Sequence, residues 1–474
     1  RVIGEGANLG CTQAGRIEFA LHGGRGNADF IDNSAGVDCS DKEVNIKIAL
    51  ADAKRAGRLS EPARVKLLSG MTDDVAAIVL EDNRLQALAL SIAEAGGAAA
   101  IPAQVRLIEL LEEAGQLDRK TEGLAENEAL KRRAAEGAGL VRPELAVLLS
   151  SAKLALQDAI EHSALPDDPG LVDDLVAAFP PAMRTQFRRE ILAHRLRREI
   201  LATRIANRMI NRLGIVHPFE LVEEEGVTLA QAAGAFVAAE RLFGMADIWA
   251  GIESAAMPEA ARIRLFVRAA DALRGQMADL LRAGVSADQP SRLAERIAPG
   301  VAALASRTAD LLRPEVQARS ARLQDELAAL SAPAEQAARV VHLADLDGAV
   351  GLALLARESK LDVEALTRAF GDLGARLGLD WAQGAAAQMN PSDPWERLLS
   401  AGLARDFQQI RLDFLRRAAG HKQGLEAAVA AWADGREPAI RQFRALVARA
   451  QAAHPLTAAM LAQIAGQARN LLSR

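Results

Sequence analysis

The 474-residue sequence predicts a mainly α fold, with a short α/β segment at the start and a large all-helical region behind it. Three observations carry that expectation. Ala and Leu fill much of the chain while aromatics are scarce, at 12 Phe, 4 Trp and no Tyr, a balance that favours helix packed on helix. Apolar residues recur at helical spacing behind recognisable capping residues through most of the chain. Only residues 1–56 mix short β-like runs with glycine-rich turns. The chain is divided accordingly into residues 1–56, 57–225 and 226–474.

Val2-Ile3 reads as the end of a strand, and Gly4-Glu5-Gly6-Ala7-Asn8-Leu9-Gly10 as a turn after it. Further short strands are expected over residues 16–20 and around 29–31, the latter leading into Asn33-Ser34-Ala35-Gly36-Val37-Asp38-Cys39-Ser40-Asp41-Lys42-Glu43. There Ser40 and Glu43 have the spacing of a capping box, so a helix is expected to start at Ser40. Val44, Ile48 and Ala51 would form its apolar stripe, and Gly57 its end. Ser60-Glu61-Pro62 opens a helix that stops at Gly70, and Thr72-Asp73-Asp74 opens a long one ending at Gly96-Gly97. Residues 104–113 supply another. Pro143 suits the first turn of a helix whose apolar face holds Leu145, Leu148, Leu149 and Leu156. Residues 184–213 read as the longest and most charged helix, with Phe187, Ile191, Leu201, Ile205, Met209 and Leu213 along one stripe and arginines around the rest. Beyond them, Ala/Leu/Arg helices are expected to break at Pro258, Pro290, Pro299, Pro333, Pro391, Pro438 and Pro455, giving helical hairpins and no fixed-period repeat.

Several function classes fall away on composition. A formal net charge of -5 argues against a nucleic-acid protein, whose footprint is a basic domain. Cys11 and Cys39 give neither a disulfide framework nor metal-ligand spacing, which suits a reducing cytoplasm. No run of about 20 uncharged apolar residues marks a membrane span. The seven His are scattered singly and are read as structural. Gly4-x-Gly6-x-x-x-Gly10 is one residue longer than the dinucleotide fingerprint and reads as an ordinary turn. Asn8 at its tip either stabilises that turn or contacts a ribose or carboxamide, and His22-Gly23-Gly24-Arg25-Gly26 is either a phosphate cradle or a plain loop. A non-enzymatic helical scaffold is the competing class. A chain that opens Arg1-Val2-Ile3 without Met is read as the C-terminal piece of a longer polypeptide.

Three segments then carry a resemblance. Gly4-Glu5-Gly6-Ala7-Asn8-Leu9-Gly10-x-Thr12-Gln13, Gly15-Arg16-Ile17-Glu18-Phe19-Ala20 and Asp32-Asn33-Ser34-Ala35-Gly36-Val37-Asp38-Cys39-Ser40-Asp41 resemble the large bacterial NAD-specific glutamate dehydrogenases. Arg142-Pro143-Glu144-Leu145-Ala146-Val147-Leu148 and His194-x-Leu196-Arg197-Arg198-Glu199-Ile200 agree with it. The resemblance implies that residues 1–56 end a Rossmann-like NAD-binding domain and that helical domains follow. It implies oxidative deamination of L-glutamate to 2-oxoglutarate with NAD as cofactor, in a cytoplasmic homo-oligomer. By the same resemblance Asn8, Asn33 and Gly6 match cofactor-binding positions, Asn8 at the nicotinamide ribose and Asn33 at the carboxamide. Val37 matches a residue lining the substrate pocket, and Ser40 the serine that binds the side-chain carboxylate of glutamate. Ala35 stands where the family commonly has glycine. The family's catalytic lysines and aspartate match nothing in the chain, so no catalytic or metal-binding residue is assigned and the chain alone is expected to be inactive.

Overall fold

A strand leaves its backbone groups to a neighbour, whereas a helix closes its own hydrogen bonds, and that difference decides the start of this chain. A computed structural model of the protein describes residues 1–6, 9–285, 289–389, 391, 393–420 and 424–473. Among them no strand forms. The β structure is one isolated parallel bridge between Val2 and Arg25, in which the Ile3 amide donates to the Arg25 carbonyl at 2.8 Å. The expected α/β segment, the end of a Rossmann-like domain, is therefore not observed, and the described architecture is all-helical. Residues 16–20 lie inside α1 (Gln13–Leu21), started by the Thr12 hydroxyl accepting from the Gly15 amide at 3.1 Å. Residues 29–31 lie in the single turn α2 (Asp29–Asp32). With one bridge on offer, β-like side chains do not outweigh the self-contained helix.

The long helix α3 (Ser34–Arg55) begins six residues before the expected capping serine. Its end is where the sequence places it: Gly57 adopts φ +71°, and the Arg58 amide reaches back to the Ala53 carbonyl at 3.0 Å. The buried side of α3 is Ile46, Ala49, Leu50 and Ala53, not the stripe of Val44, Ile48 and Ala51; Val44 is 51% exposed. Helix α4 (Glu61–Gly70) opens on the Ser60 hydroxyl, and α5 (Thr72–Ala95) starts at Thr72. Helices α6 (Ile101–Glu113) and α7 (Asn127–Ala135) lead to α8 (Arg142–Glu161). Glu144 closes the start of α8 by accepting from the Val141 amide at 2.9 Å and from Arg133 at 2.6 Å. Residues 184–213 are not one helix. The short pieces α9 (Val172–Ala177), α10 (Pro181–Arg184) and α11 (Arg188–Leu192) precede α12 (Arg197–Leu213), whose buried stripe includes Leu201, Ile205, Met209 and Leu213. The surrounding arginines pair locally, Arg197 with Asp167 at 2.7 Å and Arg208 with Asp174 at 2.6 Å.

The chain forms two compact units, one built mainly from Arg1–Glu220 and the other mainly from Ala238–Val285 and Arg292–Arg474. In the first, α8 packs along α12, and α5 lies against α3, α8 and α12. The second is a helical array whose core joins Leu355, Leu366, Leu373, Phe407, Leu415 and Leu461. Its longest helix, Pro394–Ala418, lies against Leu379–Gln388 and Ala458–Ser473. Pro258 and Pro333 precede helices as expected, whereas Pro299 sits inside the helix Pro290–Ser306. No single helix among the described residues is long and apolar enough to cross a membrane.

Candidate active-site segment

The glycine turn and the start of α3 are tied together by carboxylates. The Glu5 side chain is 8% exposed, pairs with Arg16, and accepts from the Gly10 amide. Arg16 and that amide hold the Glu5 carboxyl below its usual range. Asp29 lies 3.7 Å from Arg16 and accepts from the Leu9 amide at 3.4 Å. Asp32 accepts from the Glu5 amide at 3.1 Å and from the Asn27 side chain at 2.7 Å. The amides of Leu9 and Gly10 are thus occupied by protein carboxylates and are not on offer to a phosphate. Gly6 is exposed on the loop, and Asn8 lies outside the described residues.

At the start of α3, Asn33 takes the N-cap position and Ser34 donates to the Ile31 carbonyl at 3.0 Å and to the Asn83 side chain. Ser40 therefore sits in the second turn, where its hydroxyl donates to the Gly36 carbonyl at 3.2 Å. It caps nothing, so its lone pairs are not committed to a helix amide, and the residue is exposed. Val37 is 69% exposed one turn earlier on the same face. The structure thus brings Val37, Ser40 and Val44 onto one exposed side of α3, with Asn33 at its head. Behind that face Lys42 bridges Asp38 at 3.1 Å and Asp82 at 3.2 Å, and burial pushes the Asp38 carboxyl up.

Two residues that pattern reading left without a function hold this segment from far along the chain. Arg142, at the first turn of α8, donates through Nε to Asn27 at 2.7 Å and through its other nitrogens to Ser91 at 3.0 Å and the Ala87 carbonyl at 3.3 Å. Asn27 then passes the constraint to Asp32 and so to Glu5. His194, 1% exposed, accepts from the Leu196 amide on Nδ1, so Nε2 carries the proton and donates to the Asn45 carbonyl of α3 at 3.1 Å. Burial holds its imidazole below the usual range, in keeping with a neutral structural pin. Their place in the quoted Arg142 and His194 segments was the available sequence signal. No group of three or more His, Cys, Asp or Glu among the described residues could hold a metal, and both cysteines are free thiols.

Two family models match the chain. Residues 137–470 match "Glutamate dehydrogenase, C-terminal", and residues 1–93 match "Bacterial NAD-glutamate dehydrogenase, catalytic domain". The NAD-specific glutamate dehydrogenase of Pseudomonas aeruginosa is 35% identical over 98% of this chain and 29% of its own length. Those of Halomonas elongata and Mycobacterium tuberculosis are each 34% identical, over 84% and 86% of this chain and 25% of their own lengths. The chain spans less than a third of these relatives. Matched over most of its length by the C-terminal model and over residues 1–93 by the catalytic one, it belongs to the bacterial NAD-specific glutamate dehydrogenase family.

Proposed function

We propose that the chain forms part of an NAD-dependent glutamate dehydrogenase, which converts L-glutamate, oxidised NAD and water to 2-oxoglutarate, ammonium, NADH and a proton. The observation that carries this reading is the match of residues 1–93 to the catalytic-domain model, a range that includes Gly6, Asn8, Asn33, Val37 and Ser40. In this reading the exposed hydroxyl of Ser40 binds the side-chain carboxylate of glutamate, and Val37 lines the pocket beside it. Asn33 serves the nicotinamide carboxamide, Asn8 the nicotinamide ribose, and Gly6 allows close approach of the loop. The residues present suit the phosphate-free, cationic nicotinamide riboside end of oxidised NAD: the carboxylates Glu5, Asp29 and Asp32 lie here, and the amides of Leu9 and Gly10 are taken. When bound, NAD supplies the hydride acceptor. The chain's own residues bind and orient, and none of them is assigned the proton transfer. A homo-oligomer in the cytoplasm completes the proposal, and the mass of the purified enzyme by light scattering tests the assembly.

The test of the site is Ser40→Ala in the enzyme that contains this chain. Losing one hydrogen bond to a charged ligand raises the KM for glutamate about 10- to 100-fold while leaving that for NAD within about twofold. Equal effects on both constants, or none, would count against the assignment. Arg142 gives an independent check of the loop. Arg142→Ala releases Asn27, so the KM for NAD is expected to rise about tenfold with a smaller change for glutamate. A loss of kcat alone would place the role of Arg142 elsewhere.

A further inference from the structure

Within the second unit a cavity of about 110 Å³ opens between the helices Pro314–Ala329, Val363–Leu377 and Leu379–Gln388. One side is apolar, formed by Leu304, Leu311, Leu352 and Phe370. The other carries opposed charges. Asp380 gives Oδ1 to Arg411 at 2.6 Å, but its Oδ2 is buried and has no hydrogen-bond partner. Arg411 is otherwise fully used: it donates to Gln383 and to the Phe407 carbonyl, and its guanidinium lies 3.9 Å over the Phe370 ring. Arg319, which also lines the cavity, has no hydrogen-bond or ion-pair partner among the described residues. A buried acceptor without a donor is costly, and a guanidinium over a cavity is a ready carboxylate site.

We propose that this cavity binds a small zwitterion with an apolar body, of the α-amino-acid class, its ammonium on Asp380 and its carboxylate on Arg319. The ammonium supplies the donor that Asp380 Oδ2 lacks. Arg319, which meets Asp345 and Asp347 of the same lining only through longer-range attraction, gains a directly bonded carboxylate, and the side chain lies along the leucine and phenylalanine wall. The site belongs to the helical unit and owes nothing to the Ser40 face, so it stands or falls separately from the proposed reaction.

Calorimetry on the 474-residue chain tests it with three probes: L-norvaline, butylamine, which lacks the carboxylate, and valerate, which lacks the amine. Saturable binding of norvaline is expected, with each half-ligand at least about tenfold weaker. Arg319→Gln breaks no internal pair, so its melting temperature should match the parent while norvaline affinity falls about tenfold. Asp380→Asn provides the second arm, weakening norvaline without favouring butylamine. The proposal is overturned by no norvaline binding up to about 10 mM, by butylamine or valerate matching norvaline, or by unchanged affinity in a folded Arg319→Gln.

Discussion

Arg405→Met is expected to destabilise the second unit by about 3–5 kcal/mol at pH 8, because it removes one partner of a buried ion cluster and strands two carboxylates. Arg405, its side chain 17% exposed, lies 3.1 Å from Asp279 and 2.5 Å from Asp347. Asp279 also accepts from the Gly348 amide at 3.1 Å, so the cluster fixes the start of the helix Ala349–Ser359. One cation cannot serve both carboxylates equally. Burial pushes Asp279 up to about 6, whereas at Asp347 the charge and hydrogen bond of Arg405 outweigh burial and hold the carboxyl low. For Asp279 the folded state therefore binds more protons than the unfolded state between pH 3.8 and about 6, and its contribution to stability falls as pH rises through that window. Without Arg405 the Asp279 carboxyl rises further, so the deficit of the variant should be larger at pH 8 than at pH 5, where Asp279 can carry a proton. Urea melts at the two pH values measure this. A deficit under about 1 kcal/mol at both would show the cluster to behave as a solvated pair.

Lys153→Met should do the opposite and stabilise the first unit near neutral pH. Lys153 projects from α8, and the hydrogen bond found for its ammonium is to the Gln86 side chain at 3.0 Å. Burial drives its pKa from 10.5 down to about 7, and the charge on Asp82 offsets only part of that. Such a shift corresponds to a cost on the order of 3–5 kcal/mol for the charged form. Between about pH 7 and 10.5 the folded state binds fewer protons here than the unfolded state, so this group makes stability rise with pH. Methionine keeps the stem packing and removes the charge. The expected result is a gain of about 2–3 kcal/mol at pH 6.5 that shrinks towards pH 9.5, read as the difference between variant and parent in thermal melts. A destabilised variant, or a difference that does not change with pH, would show that the Lys153 ammonium reaches solvent.

Local signals carried much of the helical layout. Ser60 and Gly57 mark a start and a stop because a cap or a left-handed glycine is a property of one turn of chain, and the helix bounds at Gly70 and Thr72 also fall where the sequence puts them. The start of α3 was misplaced for an equally local reason. Ser40 and Glu43 fit the capping-box spacing, but Ser34 engages Asn83, 49 residues away, and the helix begins there instead. The buried stripe moved with it. Residues 46, 49, 50 and 53 satisfy helical periodicity as well as residues 44, 48 and 51, and only packing against α5 and α11 selects one set. In the same way β-like composition at residues 16–20 could not report that no neighbouring strand is on hand among the described residues.

What the sequence determined by itself is the family; the proposed positions Gly6, Asn8, Asn33, Val37 and Ser40 come from its resemblance to the family's motifs and fall within the residues that match the catalytic-domain model. These are short-range patterns, readable wherever the chain goes. The tertiary structure alone decided that Ser40 is an exposed second-turn hydroxyl and not a cap, and that Arg142 and His194 hold the segment across 115 and 149 residues. It alone set the unpartnered Asp380 Oδ2 and Arg319 around one cavity. Contacts at such separations depend on how helices pack, and packing is written in no local stretch of sequence.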